Sequence, residues 1–187
     1  RQLEFHTMRP AKYIGVLALS ALVILSACGP DEAEIARRAE VHRQAAVLFN
    51  AGIGYMADAK YLDAGVLFDS AVTLAPDVVE YSVALGHALA NQAQYDSARG
   101  FLSRGTAEHI LEAYFAQGYL ALREGRPESA VAALHAICPN VVGCGDPATA
   151  YLIGTANSRM ANAEQAVTWL RRSIELDPHF ISAYYAL

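Results

Sequence analysis

The sequence lacks the short motifs that usually carry catalysis. It has no His-Glu-x-x-His zinc motif and no Gly-x-Ser-x-Gly nucleophile elbow. Gly52 and Gly54 do not begin a phosphate-binding loop, because Ala57 breaks the G-x-G-x-x-G frame. Five of the six histidines are scattered along residues 28–187: His42, His87, His109, His135 and His179. We therefore expect no active site, no cofactor and no metal, and interpret the chain as a non-enzyme.

Blocks of lysine and arginine are also absent. The 187 residues carry a formal net charge of −5. Residues 1–27 contain three basic residues and one acidic residue, so the remaining chain has a net charge of −7. Such an acidic chain argues against nucleic acid as a partner, and against a broad electrostatic contact with anionic lipid.

One apolar run near the start is short for a membrane-spanning helix. Residues 13–27 are fifteen uncharged residues that follow the basic stretch 8–12. A spanning helix needs about 20 apolar residues. A basic start followed by a short apolar run and small residues is typical of a secretory signal peptide. The signal would begin at Met8, and residues 1–7 are left out of this interpretation.

The four residues that end this run, Leu25 to Cys28, resemble the box of bacterial lipoproteins. The resemblance implies cleavage before Cys28, which makes residues 1–27 a leader, and attachment of lipid to the Cys28 sulfur. Acyl chains at about 0.8 kcal/mol per buried CH₂ would hold the protein on a membrane. We expect an exported protein, lipid-anchored to a bacterial membrane on its periplasmic or outer face. An ordinary secreted form and an uncleaved anchor are the alternatives.

The rest of the chain repeats small residues at a regular spacing. Glycines recur 34, 32 and 36 residues apart: Gly52, Gly86, Gly118 and Gly154. An alanine follows each glycine by twelve residues: Ala64, Ala98, Ala130 and Ala166. Four residues later comes a large apolar residue: Phe68, Leu102, Leu134 and Leu170. The small residues predict close antiparallel helices, and the large ones would fill the space between successive pairs. A single unrelated helical bundle is the alternative.

This pattern resembles the tetratricopeptide repeat (TPR), a 34-residue helix-turn-helix unit. Leu85-Gly86 and Ile153-Gly154 stand in the Leu-Gly place of the family. The resemblance implies an all-α fold, an α-solenoid of antiparallel helix pairs. The solenoid would cover residues 45–187, with units of about 45–78, 79–110, 111–146 and 147–180 and a partial fifth at 181–187. Residues 28–44 would be the lipidated cysteine, a tether and a lead-in helix.

Two positions depart from the family pattern. Gly105 and Ile137 stand where the family usually has alanine. We expect looser helix crossings at these two positions.

In this family the first helix of each unit lines a concave groove that holds an extended peptide or a partner helix. Helical phase places thirteen residues there: Phe49, Ile53, Met56, Val83, His87, Asn91, Phe115, Tyr119, Arg123, Tyr151, Thr155, Arg159 and Tyr185. Aromatic side chains with two arginines at one end suit an apolar peptide that bears a carboxylate. The alternative is that some of these aromatic residues belong to the core.

Cys138 and Cys144 enclose five residues, and exported proteins meet oxidising conditions. We predict a disulfide between them, with two free thiols as the alternative. A zinc site is a weak reading, because His135 is the only further ligand nearby.

The sequence as a whole predicts a membrane-anchored scaffold in the bacterial cell envelope that binds a protein or peptide. The alternative is the docking or sensory part of a larger enzyme.

Overall fold

A computed structural model describes residues 31–187, and every regular element within them is an α-helix. Cys28 and the leader lie outside the described residues. The helices are α1 (Glu32–Ala57), α2 (Tyr61–Leu74), α3 (Val79–Asn91), α4 (Tyr95–Ala107), α5 (Leu111–Arg123), α6 (Pro127–Leu134), α7 (Pro147–Arg159), α8 (Ala163–Leu176) and α9 (Ile181–Ala186). Each of these helices is too short or too polar to cross a bilayer. The chain divides after Glu40 into a short first unit and a large second unit.

The described part of the first unit begins α1 with acidic residues. The carboxylate of Glu34 accepts hydrogen bonds from Arg37, at 2.8 and 2.9 Å, and from Arg38 at 2.8 Å. These hydrogen bonds lower the pKa of Glu34 to about 2. They join residues one helical turn apart and support the start of the helix.

The second unit, Val41–Leu187, is a stack of antiparallel helix pairs. The pairs are α1–α2, α3–α4, α5–α6 and α7–α8, and α9 packs on α7 and α8. The second helix of each pair also contacts the first helix of the next pair. The first helices touch in a row from α3 through α5 and α7 to α9. The all-α architecture of stacked antiparallel pairs is therefore confirmed.

The recurring glycines let the helices of each pair approach closely. A Cβ atom added to Gly86 on α3 would lie 2.8 Å from the Leu102 side chain and 3.2 Å from the Ala98 carbonyl oxygen on α4. The same relation joins the other pairs: Gly52 with Phe68, Gly118 with Leu134, and Gly154 with Leu170. Any side chain at these glycines would collide with the large residue that the partner helix inserts.

The large residues also fill the space between successive pairs, as the sequence predicts. Leu102 is fully buried and packs in one cluster with Ala113 and Ala116 of α5. Leu134 is fully buried with Ala150 and Ile153 of α7. Leu102 and Leu134 therefore each close their own pair and join that pair to the next one.

The turn inside each pair places one residue in the left-handed backbone region. The four residues are Ala59, Ala93, Gly125 and Ala161, with φ of 57°, 61°, 74° and 61°. The following amide then reaches back to the end of the first helix. The Gln94 amide donates to the Leu89 carbonyl at 2.9 Å, and the Arg126 amide donates to the Ala121 carbonyl at 2.8 Å. This closure satisfies carbonyls that a helix end otherwise leaves free.

The expectation of a looser crossing at Gly105 is wrong. Gly105 is buried, and an added Cβ would lie 2.6 Å from the Ala113 Cβ of α5 and would collide with Val83 of α3. The missing side chain thus brings α4 close to both neighbours. At the corresponding position of the next pair, Ile137 lies beyond the end of α6, so no helix crossing forms there.

A disulfide closes the loop that follows α6. Cys138 and Cys144 are bonded with a Cα–Cα distance of 4.5 Å, and both are buried. Arg172 of α8 donates to the Cys144 carbonyl at 2.9 Å and to the Val142 carbonyl at 3.4 Å. The Asp146 carboxylate then accepts from the Thr149 amide at 2.7 Å and caps the start of α7.

Candidate functional site

The thirteen residues predicted to line a groove lie on the first helices of the pairs and on α9. Phe49, Ile53 and Met56 are on α1, and three such residues lie on each of α3, α5 and α7. Because α3, α5, α7 and α9 contact one another in a row, their residues share one surface. We call this surface, formed by the thirteen residues, the groove face.

A cavity of about 560 Å³ opens on the groove face between α1, α3 and the start of α5. We call it the first pocket. Its lining includes four predicted residues, Phe49, Ile53, Val83 and His87, and four that the sequence analysis missed: Glu80, Ala84, Ile110 and Glu112. The structure therefore assembles one concave site from three successive helix pairs.

The walls of the first pocket are mostly apolar and partly belong to the core. The Phe49 ring packs against Phe68 and Tyr81, with ring centroids 5.6 and 4.8 Å apart. Val83 is buried, whereas Ile53 is 47% exposed. Ile53 is thus an apolar wall that a ligand can cover, while Phe49 and Val83 also hold the pairs together.

His87 separates the first pocket from the aromatic residues of α5. Its ring lies 5.9 Å from the rings of both Phe115 and Tyr119. Burial lowers the pKa of His87 below its ordinary value, so the imidazole is neutral at neutral pH. The formal charges of the pocket lining are then those of Glu80 and Glu112.

Four of the predicted residues form a hydrogen-bonded chain between α5 and α3. The Arg123 guanidinium donates to the Tyr119 hydroxyl at 3.3 Å, and that hydroxyl donates to Asn91 Oδ1 at 3.0 Å. Asn91 Nδ2 in turn donates to the His87 carbonyl at 3.0 Å. Hydrogen bonding to Tyr95 and the nearby Tyr119 raise the pKa of Arg123, which stays charged and exposed. These side chains join repeats as well as facing the groove.

The predicted residues of the fourth pair are arranged in a similar way. The Arg159 guanidinium donates to the Leu122 carbonyl of α5, and the Tyr151 ring packs against Phe180 at 5.4 Å. Thr155 donates back to the Tyr151 carbonyl at 2.9 Å. Tyr185 is 89% exposed at the start of the next pair. The arginines predicted to meet a partner thus already make internal hydrogen bonds, Arg123 with Tyr119 and Tyr95, and Arg159 with the Leu122 carbonyl.

Glu80 and Glu112 could have been found from the repeat itself. Each is the second residue of a first helix, α3 or α5, and the two are 32 residues apart, as are Gly86 and Gly118. Within residues 31–187, no three His, Cys, Asp or Glu side chains converge on a point that could hold a metal ion.

Comparison with known proteins supports the fold. The profile of the family Tetratricopeptide repeat matches residues 148–180, the segment that holds α7 and α8. The chain has the tetratricopeptide-repeat fold. No curated protein sequence matches this chain.

Solved structures of TPR proteins share its architecture. MamA from Desulfovibrio magneticus RS-1, residues 41 to the end, is 19% identical with a TM-score of 0.60, over 75% of this chain and 80% of that one. YrrB, described as a TPR protein with an unusual peptide-binding site, is 24% identical with a TM-score of 0.59, over 76% and 73%. At these identities the likeness concerns the fold.

Proposed function

We propose that this TPR protein is a non-enzymatic scaffold that binds an extended peptide or a partner helix on its groove face. The first pocket carries the proposal, because three successive repeats combine there into one apolar concavity of about 560 Å³. Pockets that hold a ligand commonly measure roughly 300–1,000 Å³. The peptide-binding site named for YrrB supports the same use of the fold.

The groove face also offers charge for a partner. Arg123 and Arg159 are exposed at the last residues of α5 and α7. A guanidinium has more N–H donors than the internal hydrogen bonds of Arg123 or Arg159 use, so donors remain for a carboxylate. An acidic residue or a C-terminal carboxylate of the partner would therefore bind at this end.

Substituting one exposed wall of the pocket tests the groove. Ile53→Ser should lose the partner that the wild-type protein recovers from bacterial envelope extracts, measured by affinity capture and mass spectrometry. Val66→Ser is the matched control, because Val66 is 62% exposed on α2 and does not line the first pocket. Equal recovery of every partner by wild type and both variants would contradict the groove assignment.

We also propose that a lipid on Cys28 anchors the protein to a bacterial membrane within the cell envelope. The support is the sequence of residues 8–28, with its basic start, its apolar run and its terminal cysteine. Cys28→Ser should abolish labelling by an acyl probe and change the processing of the leader. A Cys138→Ser/Cys144→Ser variant should keep the label, and retained label in Cys28→Ser would contradict the proposal.

A further inference from the structure

The first pocket combines an apolar lining with two negatively charged carboxylates. Val83, Ala84 and Ile110 form part of its wall, and Glu80 and Glu112 belong to the same lining. We infer that the first pocket accepts a bulky apolar side chain of the partner together with an adjacent lysine or arginine. This inference rests on the proposed function and specifies the partner chemistry at one end of the groove face.

The two carboxylates are available to a ligand. Both Glu80 and Glu112 are exposed, and neither has an ion-pair partner among the side chains of residues 31–187. The imidazole of His87, which shares the lining, is neutral at neutral pH because burial lowers its pKa. The pocket therefore carries two negative charges that no cation of its own lining offsets.

The long stem of a basic side chain suits this arrangement. Lysine and arginine lay their methylene groups on apolar surface while the charged end stays in water. Here the stem would cover the exposed Ile53 and the half-buried Ile110, and the charged end would reach the rim at Glu80 or Glu112. An acidic side chain in the same place would be repelled by both carboxylates.

The opposite edge of the groove face carries the opposite charge. Successive first helices run in the same direction, because each is followed by an antiparallel second helix. Glu80 and Glu112 stand at the amino ends of α3 and α5, whereas Arg123 and Arg159 stand at the carboxyl ends of α5 and α7. A partner with a basic residue beside its apolar anchor and an acidic residue further along would match both edges.

Three fluorescent peptides of equal length test the inference, with leucine alternating with lysine, with serine or with glutamate. We expect the full-length wild-type protein to bind the lysine peptide about fivefold more tightly than the serine peptide, and the glutamate peptide most weakly, by fluorescence anisotropy. Single exposed ion pairs contribute a factor of about two to five, and added salt should reduce the advantage.

Matched variants test whether the two carboxylates of the pocket cause the preference for the lysine peptide. Glu80→Gln/Glu112→Gln should remove the advantage of the lysine peptide. Glu128→Gln/Glu164→Gln should keep it, because those glutamates also stand second in their helices but belong to α6 and α8 and do not line the pocket. Equal loss in both double variants would overturn the inference, since general acidity would then explain the binding.

The remaining outcomes separate this inference from the groove itself. If the serine peptide binds as tightly as the lysine peptide and Ile53→Ser abolishes both, the charge preference is overturned and the groove stands. If no peptide binds the wild type, the inference is overturned. If, in addition, Ile53→Ser recovers every partner that the wild type recovers by affinity capture, the proposed function is overturned as well.

Discussion

The second and third helix pairs join their following pairs in two different ways. In the second pair, α4 has thirteen residues and Gly105 near its end lies against Ala113 of α5. In the third pair, α6 has only eight residues, and a loop closed by the Cys138–Cys144 disulfide follows it. Arg172 of the next pair then binds carbonyls of that loop.

The difference shows that one stacking geometry tolerates two kinds of joint. A helix that lacks a side chain at Gly105 approaches its neighbours directly, so van der Waals contact holds the joint. A loop cannot supply such contact along its length, and here a covalent link and hydrogen bonds to its carbonyls hold the joint instead. Two predictions test these joints, and two more test the helix pairs that the joints connect.

The largest effect is expected at the helical joint. Gly105→Ala should destabilise the protein by about 2–3 kcal/mol, because the new methyl group would overlap Ala113 and Val83. The measurement is urea unfolding followed by circular dichroism. Gly100→Ala on the same helix is the control, since nothing lies within 4 Å of its Cβ position, and it should stabilise by up to about 1 kcal/mol. Equal effects of the two substitutions would contradict a close joint.

The disulfide joint should be the next most sensitive. Cys138→Ala/Cys144→Ala should lower the free energy of unfolding by about 2 kcal/mol, because the unfolded chain regains the freedom of a short closed loop. Local hydrogen exchange should rise around α7 more than around α3. A reducing agent should destabilise the wild type and leave the double variant unchanged. Equal sensitivity of both proteins to the reducing agent would refute the role of this bond.

Mild acid should destabilise the second and third helix pairs, because it protonates His87. Burial lowers the pKa of folded His87 below the ordinary value of 6.5, so the unfolded chain binds more protons just below that pH. The free energy of unfolding is therefore unaffected by His87 above about pH 6.5, where the imidazole is neutral in both states. It decreases as the pH falls below that value.

Thermal unfolding between pH 7 and pH 5 measures this effect. Wild type should lose more stability over the range than His87→Gln, which keeps the nearby Glu80 and Glu112. Parallel curves for the two proteins would show that His87 does not titrate differently on folding.

The smallest effect is expected in the turns inside the two pairs. The left-handed residue is Ala93 in the second pair and Gly125 in the third. Ala93→Gly should stabilise by about 0.5 kcal/mol, because relief of left-handed strain exceeds the added freedom of the unfolded chain. Gly125→Ala should destabilise by a similar amount, because alanine is strained at a φ of 74° although its Cβ would meet nothing within 4 Å. Calorimetry compares both variants, and shifts of the same sign would contradict this reading.

The sequence predicted the helix pairs because their signal lies in residue size. Gly86 and Leu102 are sixteen residues apart and meet in the structure, and the other three pairs of this kind follow the same rule. The left-handed alanines could not be predicted in this way. Alanine has no preference for positive φ, and only the demand that α3 and α4 pack antiparallel places Ala93 there.

The groove face was predictable as a set of helix positions, and the groove residues lie on the predicted helices. The roles of individual residues were less accessible. The repeat gives Glu80 and Glu112 equivalent places in α3 and α5, but only the stacking of α3 on α5 brings both to one pocket. Likewise, the contact of Arg159 with the Leu122 carbonyl joins atoms from different pairs, which no local pattern records.

The sequence by itself determined that this protein is a row of antiparallel helix pairs, because the spacing of glycine, alanine and large apolar residues allows close packing only in that register. The tertiary structure alone decided how closely each pair meets the next and which side chains share the first pocket. Those outcomes depend on distances between residues of different repeats, where a missing methyl group at Gly105 or the end of α6 at Leu134 changes the contact.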